Sequence, residues 1–83
     1  MEINTNEIMI HLDKIESVKE FVELSSKCSF HIDVQSLDRH YTINAKSILG
    51  IFSLNLNNNL YVRALTTESD ANKYYETIKK FRV

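Results

Sequence analysis

The spacing of hydrophobic and polar residues changes several times along the chain, and each change predicts a new element. Apolar and polar residues alternate over residues 7–12, which predicts a first strand. Apolar residues then recur at helical spacing from Ile15 to Cys28, with charged residues mostly between them, which predicts an amphipathic helix. Asp13 and Glu16 stand three residues apart before this helix, a variant of the capping box that predicts its start.

The rest of the chain continues with short elements. Alternation predicts strands over residues 30–35, 40–44 and 60–66, and a short apolar helix is predicted over 47–54. A last helix is predicted from Ser69, with its inner face marked by Ala71, Tyr74, Tyr75, Ile78 and Phe81. The resulting order indicates an α+β protein with helices packed on one face of a sheet. Periodicity alone fits a ferredoxin-like layout equally well.

Size and composition limit the classes of function. The 83 residues predict one domain, 1–83, and the formal charge of −1 gives no reason to expect nucleic-acid binding. No apolar run approaches membrane-spanning length, and the first residues lack the pattern of a signal peptide. The single cysteine, Cys28, excludes an internal disulfide and fits a cytoplasmic location, and we expect it to be buried as a small hydrophobic residue. We expect a monomer with no cofactor and no metal, because metal-ligand spacings and glycine-rich phosphate loops are missing from the sequence.

Residues 42–54, Thr-Ile-Asn-Ala-Lys-Ser-Ile-Leu-Gly-Ile-Phe-Ser-Leu, form the most informative segment. They place Ser47 at the start of a short helix, directly after a predicted strand. The first turn of a helix has unpaired N–H groups and a partial positive charge. A serine hydroxyl can cap such a turn, and a phosphate group attached there is well placed. Ser47 is therefore a candidate for both capping and phosphorylation.

The same short helix has a candidate docking surface. Leu49 and Phe52 are three residues apart and share a face, with Ile48 beside them at the opening turn. Ile51 and Leu54 are expected to face the sheet. An exposed apolar patch on a small protein usually marks a docking site, whereas inward packing of the whole helix is the alternative. The sequence leaves these two interpretations equally open.

This segment resembles HPr, the small phosphocarrier family of the bacterial sugar phosphotransferase system. A run of the type Lys-Ser-Ile-Met-Gly-Val-Met-Ser-Leu begins the second helix in that family, and the residues that match it directly are Lys46, Ser47, Ile48, Gly50, Ser53 and Leu54. The resemblance implies an open-faced βαββαβα sandwich, with a four-stranded antiparallel sheet covered on one face by three helices. It also implies phosphorylation of Ser47 by HPr kinase, and protein contacts through Lys46, Ile48, Leu49 and Phe52 with a transcriptional co-regulator or phosphotransferase-system components.

The other hallmark of the family is missing. HPr proteins carry Gly-Leu-His-Ala-Arg-Pro where the first strand meets the first helix, whereas residues 11–17 read His-Leu-Asp-Lys-Ile-Glu-Ser. Counting back from Lys27, the family histidine falls on Lys14, its arginine on Glu16 and its proline on Ser17. Asp13 and Glu16 also place two carboxylates where a dianionic phosphoryl group would sit, and like charges in contact repel each other. We therefore expect no catalytic residue.

We interpret the chain as a divergent HPr-like protein that has lost histidine phosphotransfer. It is expected to act as a regulatory or protein-binding module through the Ser47 helix, rather than as an enzyme. One alternative is a working phosphocarrier that uses a displaced histidine such as His11. Another is a small interaction domain with no phosphotransferase role. The histidines, His11, His31 and His40, are expected to be solvent-facing residues of strands.

Overall fold

The computed structural model describes residues 2–83. In chain order the elements are β1 (Ile8–Ile10), α1 (Ile15–Ser26), β2 (His31–Gln35), β3 (Thr42–Asn44), α2 (Ile48–Phe52), β4 (Leu60–Leu65) and α3 (Glu68–Thr77), followed by a 3₁₀ turn at Lys79–Phe81. The order and type of these elements confirm the βαββαβα prediction. The strands are shorter than predicted. The alternation of apolar and polar residues continues beyond the last residues whose backbones pair with a neighbouring strand.

The four strands form one antiparallel sheet in the order β1-β4-β2-β3. The two central strands meet with Val34 opposite Val62, and Val62 also faces Ile8 on β1. Because strand residues alternate between faces, this register places these apolar side chains on the face that the helices cover. The opposite face is open and carries mostly polar side chains, as the predicted open-faced sandwich requires.

A single hydrophobic core lies between the sheet and the helices. Val18 and Phe21 of α1 are fully buried there, and the ring of Phe21 meets that of Phe81 edge-on, with 6.1 Å between their centroids. The inner residues predicted for the last helix are also buried: Ala71, Tyr74, Tyr75, Ile78 and Phe81. The hydroxyl groups of Ser25 and Tyr74 lie 2.6 Å apart and hydrogen-bond each other within this core.

The segment before β1 is held against the sheet by a buried polar cluster. The Tyr75 hydroxyl donates to the carbonyl of Asn6 at 2.7 Å and accepts from the backbone N–H of Ala64 at 3.0 Å. The Asn4 amide also contacts this hydroxyl, at 3.1 Å. Buried polar groups need such partners, so Tyr75 acts as the hydrogen-bonding centre between α3, β4 and the N-terminal segment.

Arg39 fastens the β2–β3 turn to the open face. Its backbone is left-handed, with φ 63°, and its guanidinium lies 3.9 Å from the centre of the Tyr61 ring. The same guanidinium donates to Glu7 at 2.6 Å and to Gln35 at 2.8 Å. The hydrogen bond from Arg39 lowers the pKa of Glu7. This contact joins two segments that are 32 residues apart in the chain.

The capping box predicted at Asp13 and Glu16 is wrong. Helix α1 begins at Ile15, so its N-cap is Lys14, which makes no side-chain capping bond. Asp13 lies one residue too early to cap the helix, and its carboxylate accepts a hydrogen bond from the Ser17 hydroxyl at 3.2 Å instead. The start of α1 thus lacks the side-chain cap that the sequence suggested.

Gly50 permits the close approach of α2 to β3. A Cβ atom at this position would lie 2.4 Å from Cγ2 of Ile43 and 3.0 Å from Oγ of Ser47. The first distance is far shorter than any normal carbon–carbon contact. Glycine is therefore required here for space, since its backbone φ is not in the left-handed region.

We predict that Gly50→Ala destabilises the protein by about 1–2 kcal/mol. Overpacking costs about 1–3 kcal/mol, and the better helix propensity of alanine offsets up to about 1 kcal/mol of this. Urea unfolding followed by far-UV circular dichroism measures the change. Leu49→Ala in the same helix is the matched control and should shift stability by less than about 0.5 kcal/mol. Equal stability of the two variants would contradict the packing account.

Candidate functional site

Ser47 is the N-cap of α2 and is exposed to solvent. Its backbone is extended, with φ −99° and ψ 101°, and its hydroxyl accepts a hydrogen bond from the N–H of Gly50 at 3.2 Å. The cap therefore forms as the sequence predicts, and it holds the hydroxyl at the surface. A modifying enzyme can approach an exposed hydroxyl at the start of a helix, and a phosphate there would meet the free N–H groups of the first turn.

Lys46 links this turn to the end of α1. Its ammonium donates to the carbonyl of Cys28 at 2.7 Å, and its backbone N–H donates to the Asn44 side chain at 2.9 Å. Lys46 is half-buried as a result. This pair of bonds fixes the segment between β3 and α2 and so positions Ser47.

The outer face of α2 is apolar and exposed. The side chain of Leu49 is 80% exposed and that of Phe52 is 40% exposed, whereas Ile51 is fully buried against the core. Leu54 is buried as well, and Ile48 is half-buried and packs on the core. Helix α2 thus buries one side and presents the other, so the inward-packing alternative does not describe Leu49 and Phe52.

The apolar surface extends from α2 to the start of α1. Ile15 is 59% exposed and lies with Phe52 along one groove of about 540 Å³, whose lining includes the buried Leu12 and the half-buried Leu56. We call Ile15, Leu49, Phe52 and Leu56 the α1–α2 patch. The sequence pattern predicts only the α2 part of this patch, because helical spacing places Ile15 on the inner stripe of α1.

The start of α1 has a lysine and not a histidine at its N-cap. Lys14 occupies the N-cap, and exposed carboxylates of Asp13 and Glu16 lie on either side of Lys14 and Ile15 in the chain. A phosphohistidine site needs an imidazole at the phosphate position and a cation or helix terminus to hold its charge. Here Lys14 stands at the N-cap instead of an imidazole; Lys14 and the helix terminus are positive, whereas the two carboxylates would oppose an incoming dianion.

His11 lines the groove at the start of α1 with Asp13 and Lys14, whereas His31 and His40 lie elsewhere. Two of these histidines differ from the expectation. His31 is an exposed residue of β2, as predicted, and its Nε2 lies 2.6 Å from the Asp33 carboxylate. His40 is exposed but precedes β3, in the turn beside Asp38. His11 follows β1 and is half-buried; its Nδ1 is shielded from solvent and has no hydrogen-bond partner among residues 2–83. His40 therefore faces solvent as predicted but lies outside the strand, and the prediction of a solvent-facing strand residue is wrong for His11.

Cys28 is half-buried next to the core, just beyond the end of α1. Burial raises the pKa of its thiol, and the nearby charge of Lys46 offsets part of that rise. A raised thiol pKa leaves less of the nucleophilic thiolate at neutral pH. Within residues 2–83, no three His, Cys, Asp or Glu side chains come together in a group that could hold a metal ion.

Across the described part of the chain, no helix has both the length and the apolar character needed to cross a membrane.

The fold and the α2 geometry define a class of small α+β sandwiches with a serine-capped second helix, and the comparisons with known proteins identify the family. The chain matches the family described as PTS HPr component phosphorylation site over residues 15–82. It therefore belongs to the HPr family of the phosphotransferase system. The matched range begins at Ile15, the first residue of α1, so residues 11–14 lie outside it.

A solved structure supports the same assignment. The chain is similar to the crystal structure of HPr-C-His from Thermoanaerobacter tengcongensis, with 25% sequence identity and a TM-score of 0.74. The similarity covers 92% of this chain and 89% of that one. No curated protein matches the sequence. HPr proteins interact with other phosphotransferase-system proteins, which supports protein partners for this chain in general terms.

We predict that Ser47→Ala destabilises the protein by about 0.5–2 kcal/mol, because it removes the acceptor for the Gly50 N–H at the start of α2. Ser47→Asp should retain nearly all of the stability, since aspartate also caps helices and its charge suits a helix start. Urea unfolding monitored by far-UV circular dichroism compares the two variants with the parent protein. The capping role is refuted if alanine and aspartate have the same effect.

Proposed function

We propose that this protein is a protein-binding or regulatory member of the HPr family that does not carry phosphate on histidine. The observation that carries the proposal is the contrast between its two helix starts. At α2, an exposed serine cap lies next to exposed Leu49 and Phe52. At α1, Lys14 stands at the N-cap, with the exposed carboxylates of Asp13 before it and Glu16 two residues after it. The start of α2 therefore suits contacts with another protein. The start of α1 does not suit phosphoryl transfer through histidine.

The binding half of the proposal is supported by the cost of exposing large apolar side chains. Removing a fully exposed side chain of this size from water is favourable by about 1.5–3 kcal/mol, before the entropic cost of association is subtracted. Apolar patches on small proteins commonly mark interaction sites. Here Leu49 is exposed on the same helix as Phe52, and Phe52 and Ile15 line one groove. A partner that covers these residues removes their apolar surface from water. The buried side chain of Ile51 anchors α2 to the core.

The regulatory half concerns Ser47. A phosphate on its exposed hydroxyl adds about −1.5 to −2 charges beside the α1–α2 patch. The free N–H groups of the first turn of α2 would stabilise that charge, whereas an apolar partner surface would pay a desolvation penalty for it. Phosphorylation by HPr kinase would thus change the affinity of the patch, or recruit a different partner such as a transcriptional co-regulator.

We predict that phosphoenolpyruvate, Enzyme I and magnesium leave no acid-labile phosphate on this protein. An HPr protein with the Gly-Leu-His-Ala-Arg-Pro motif is the positive control under the same conditions. Intact-mass measurement before and after mild acid treatment gives the readout. Stoichiometric acid-labile phosphate would contradict the proposal. If that phosphate disappeared in His11→Ala, the displaced-histidine phosphocarrier would be the correct interpretation.

We predict that ATP and HPr kinase place one acid-stable phosphate on the protein, and that Ser47→Ala abolishes it. Ser53→Ala is the matched control, because Ser53 is also exposed and lies at the other end of α2. Circular dichroism verifies that both variants are folded. The regulatory half is wrong if the parent protein takes no phosphate or if the label remains in Ser47→Ala.

A further inference from the structure

We infer that a hollow on the open face of the sheet binds a small α-amino acid, whose carboxylate pairs with Arg63 and whose ammonium pairs with Asp33. This open-face hollow lies on the side of the sheet that the helices leave uncovered, so the inference does not depend on the proposed role of α2. It follows from two opposite charges that face each other in the sheet without forming an ion pair.

The open-face hollow is built largely on the two central strands. Its volume is about 270 Å³, and its lining includes Asp33 and Gln35 of β2 together with Tyr61 and Arg63 of β4. Pockets for drug-sized ligands usually measure about 300–1,000 Å³, so this hollow suits a smaller molecule. Strands hold their side chains more precisely than loops do, which favours recognition of a small polar ligand.

One wall of the hollow is already hydrogen-bonded within itself. Arg39 donates to Glu7 at 2.6 Å and to Gln35 at 2.8 Å. The Gln35 amide in turn donates to the Thr42 hydroxyl at 3.3 Å. Because Arg39 and Glu7 compensate each other's charge, this wall leaves the charges of the two central strands to the ligand.

Asp33 and Arg63 stand directly opposite each other in the sheet register but do not pair. Opposite charges in such positions normally attract each other across the strands. Here Oδ1 of Asp33 lies 2.6 Å from Nε2 of His31, and Arg63 makes no ion pair among residues 2–83. The charge of Arg63 still acts in the hollow, because it adds to the hydrogen bond from Arg39 in lowering the pKa of Glu7.

These two separate charges favour a zwitterion over a simple ion. An anion on Arg63 alone would be repelled by Asp33, and a cation on Asp33 alone would be repelled by Arg63. A zwitterion avoids both repulsions, and its carboxylate can accept two parallel N–H···O bonds from the guanidinium. Directly opposed strand residues have Cβ atoms about 4.5–5.5 Å apart, so the two ligand charges must lie close together, as they do in an α-amino acid.

Three small probes of matched shape test this selectivity. Alanine carries both charges, propionate lacks the ammonium group, and ethylammonium lacks the carboxylate. In ¹⁵N chemical-shift titrations up to about 0.1 M probe at constant ionic strength, alanine should give saturable shifts at residues 33–35, 42 and 61–63. Propionate and ethylammonium should each bind about three- to tenfold more weakly, as expected for the loss of one charge-assisted contact at a partly exposed site.

Single variants with matched controls assign the binding to its residues. Arg63→Gln and Asp33→Asn should each weaken alanine about three- to tenfold, and Asp33→Asn should at the same time strengthen propionate, because the carboxylate that repels it is gone. Arg82→Gln is the control for the arginine, since Arg82 is exposed and makes no ion pair among residues 2–83. Asp70→Asn, which removes an exposed carboxylate in the first turn of α3, is the control for the aspartate. Circular dichroism verifies that all four variants are folded.

Several results would overturn the inference. Alanine shifts that do not saturate show that the open-face hollow is not an amino-acid site. Binding of propionate or ethylammonium as tight as that of alanine contradicts the preference for a zwitterion, and alanine binding that is unchanged in Arg63→Gln contradicts the assigned residues. None of these results bears on the proposed function, because the phosphorylation experiments report on the helical side of the sheet.

Discussion

The structure depends on a close fit between a very short helix and the sheet beneath it. Helix α2 has five residues, far fewer than an isolated helix needs in water. It is held by the burial of Ile51, by the approach to Ile43 that only glycine at position 50 allows, and by the Ser47 cap. Because tertiary contacts fix the inner side completely, the outer side is free to remain apolar and exposed.

The same constraint separates a buried scaffold from an exposed apolar surface. Lys46 fastens the approach to α2 onto the end of α1, and the packing of α1 against the core places Ile15 at the groove that Phe52 lines. The two helices therefore present the α1–α2 patch as one preorganised surface, which lowers the entropic cost of binding a partner. The family fold is kept at this surface, and the start of α1 carries Lys14 at its N-cap with the exposed carboxylates of Asp13 and Glu16 nearby.

Much of the fold could be predicted because apolar periodicity follows burial directly. The inner stripe of α3 and the inward side of α2 were identified correctly on that basis, and the Ser47 cap followed from local chemistry. The contacts of Arg39 and Tyr75 could not, because their partners lie 32 and up to 71 residues away and leave no local pattern. The prediction of an inward-facing Ile15 is wrong for a related reason. A residue at the end of a helical stripe can project past the core, and only the packed structure places it at the surface.

The most direct measurement is site-specific photocrosslinking in the native cell, with Leu49 replaced by a photoreactive phenylalanine analogue. Thr42, exposed on the open face of the sheet, is the matched position for comparison. The account predicts a discrete protein adduct from position 49 that excess parent protein suppresses and excess Phe52→Ser does not. Adducts from position 42 alone, or suppression by both competitors to the same extent, would contradict it.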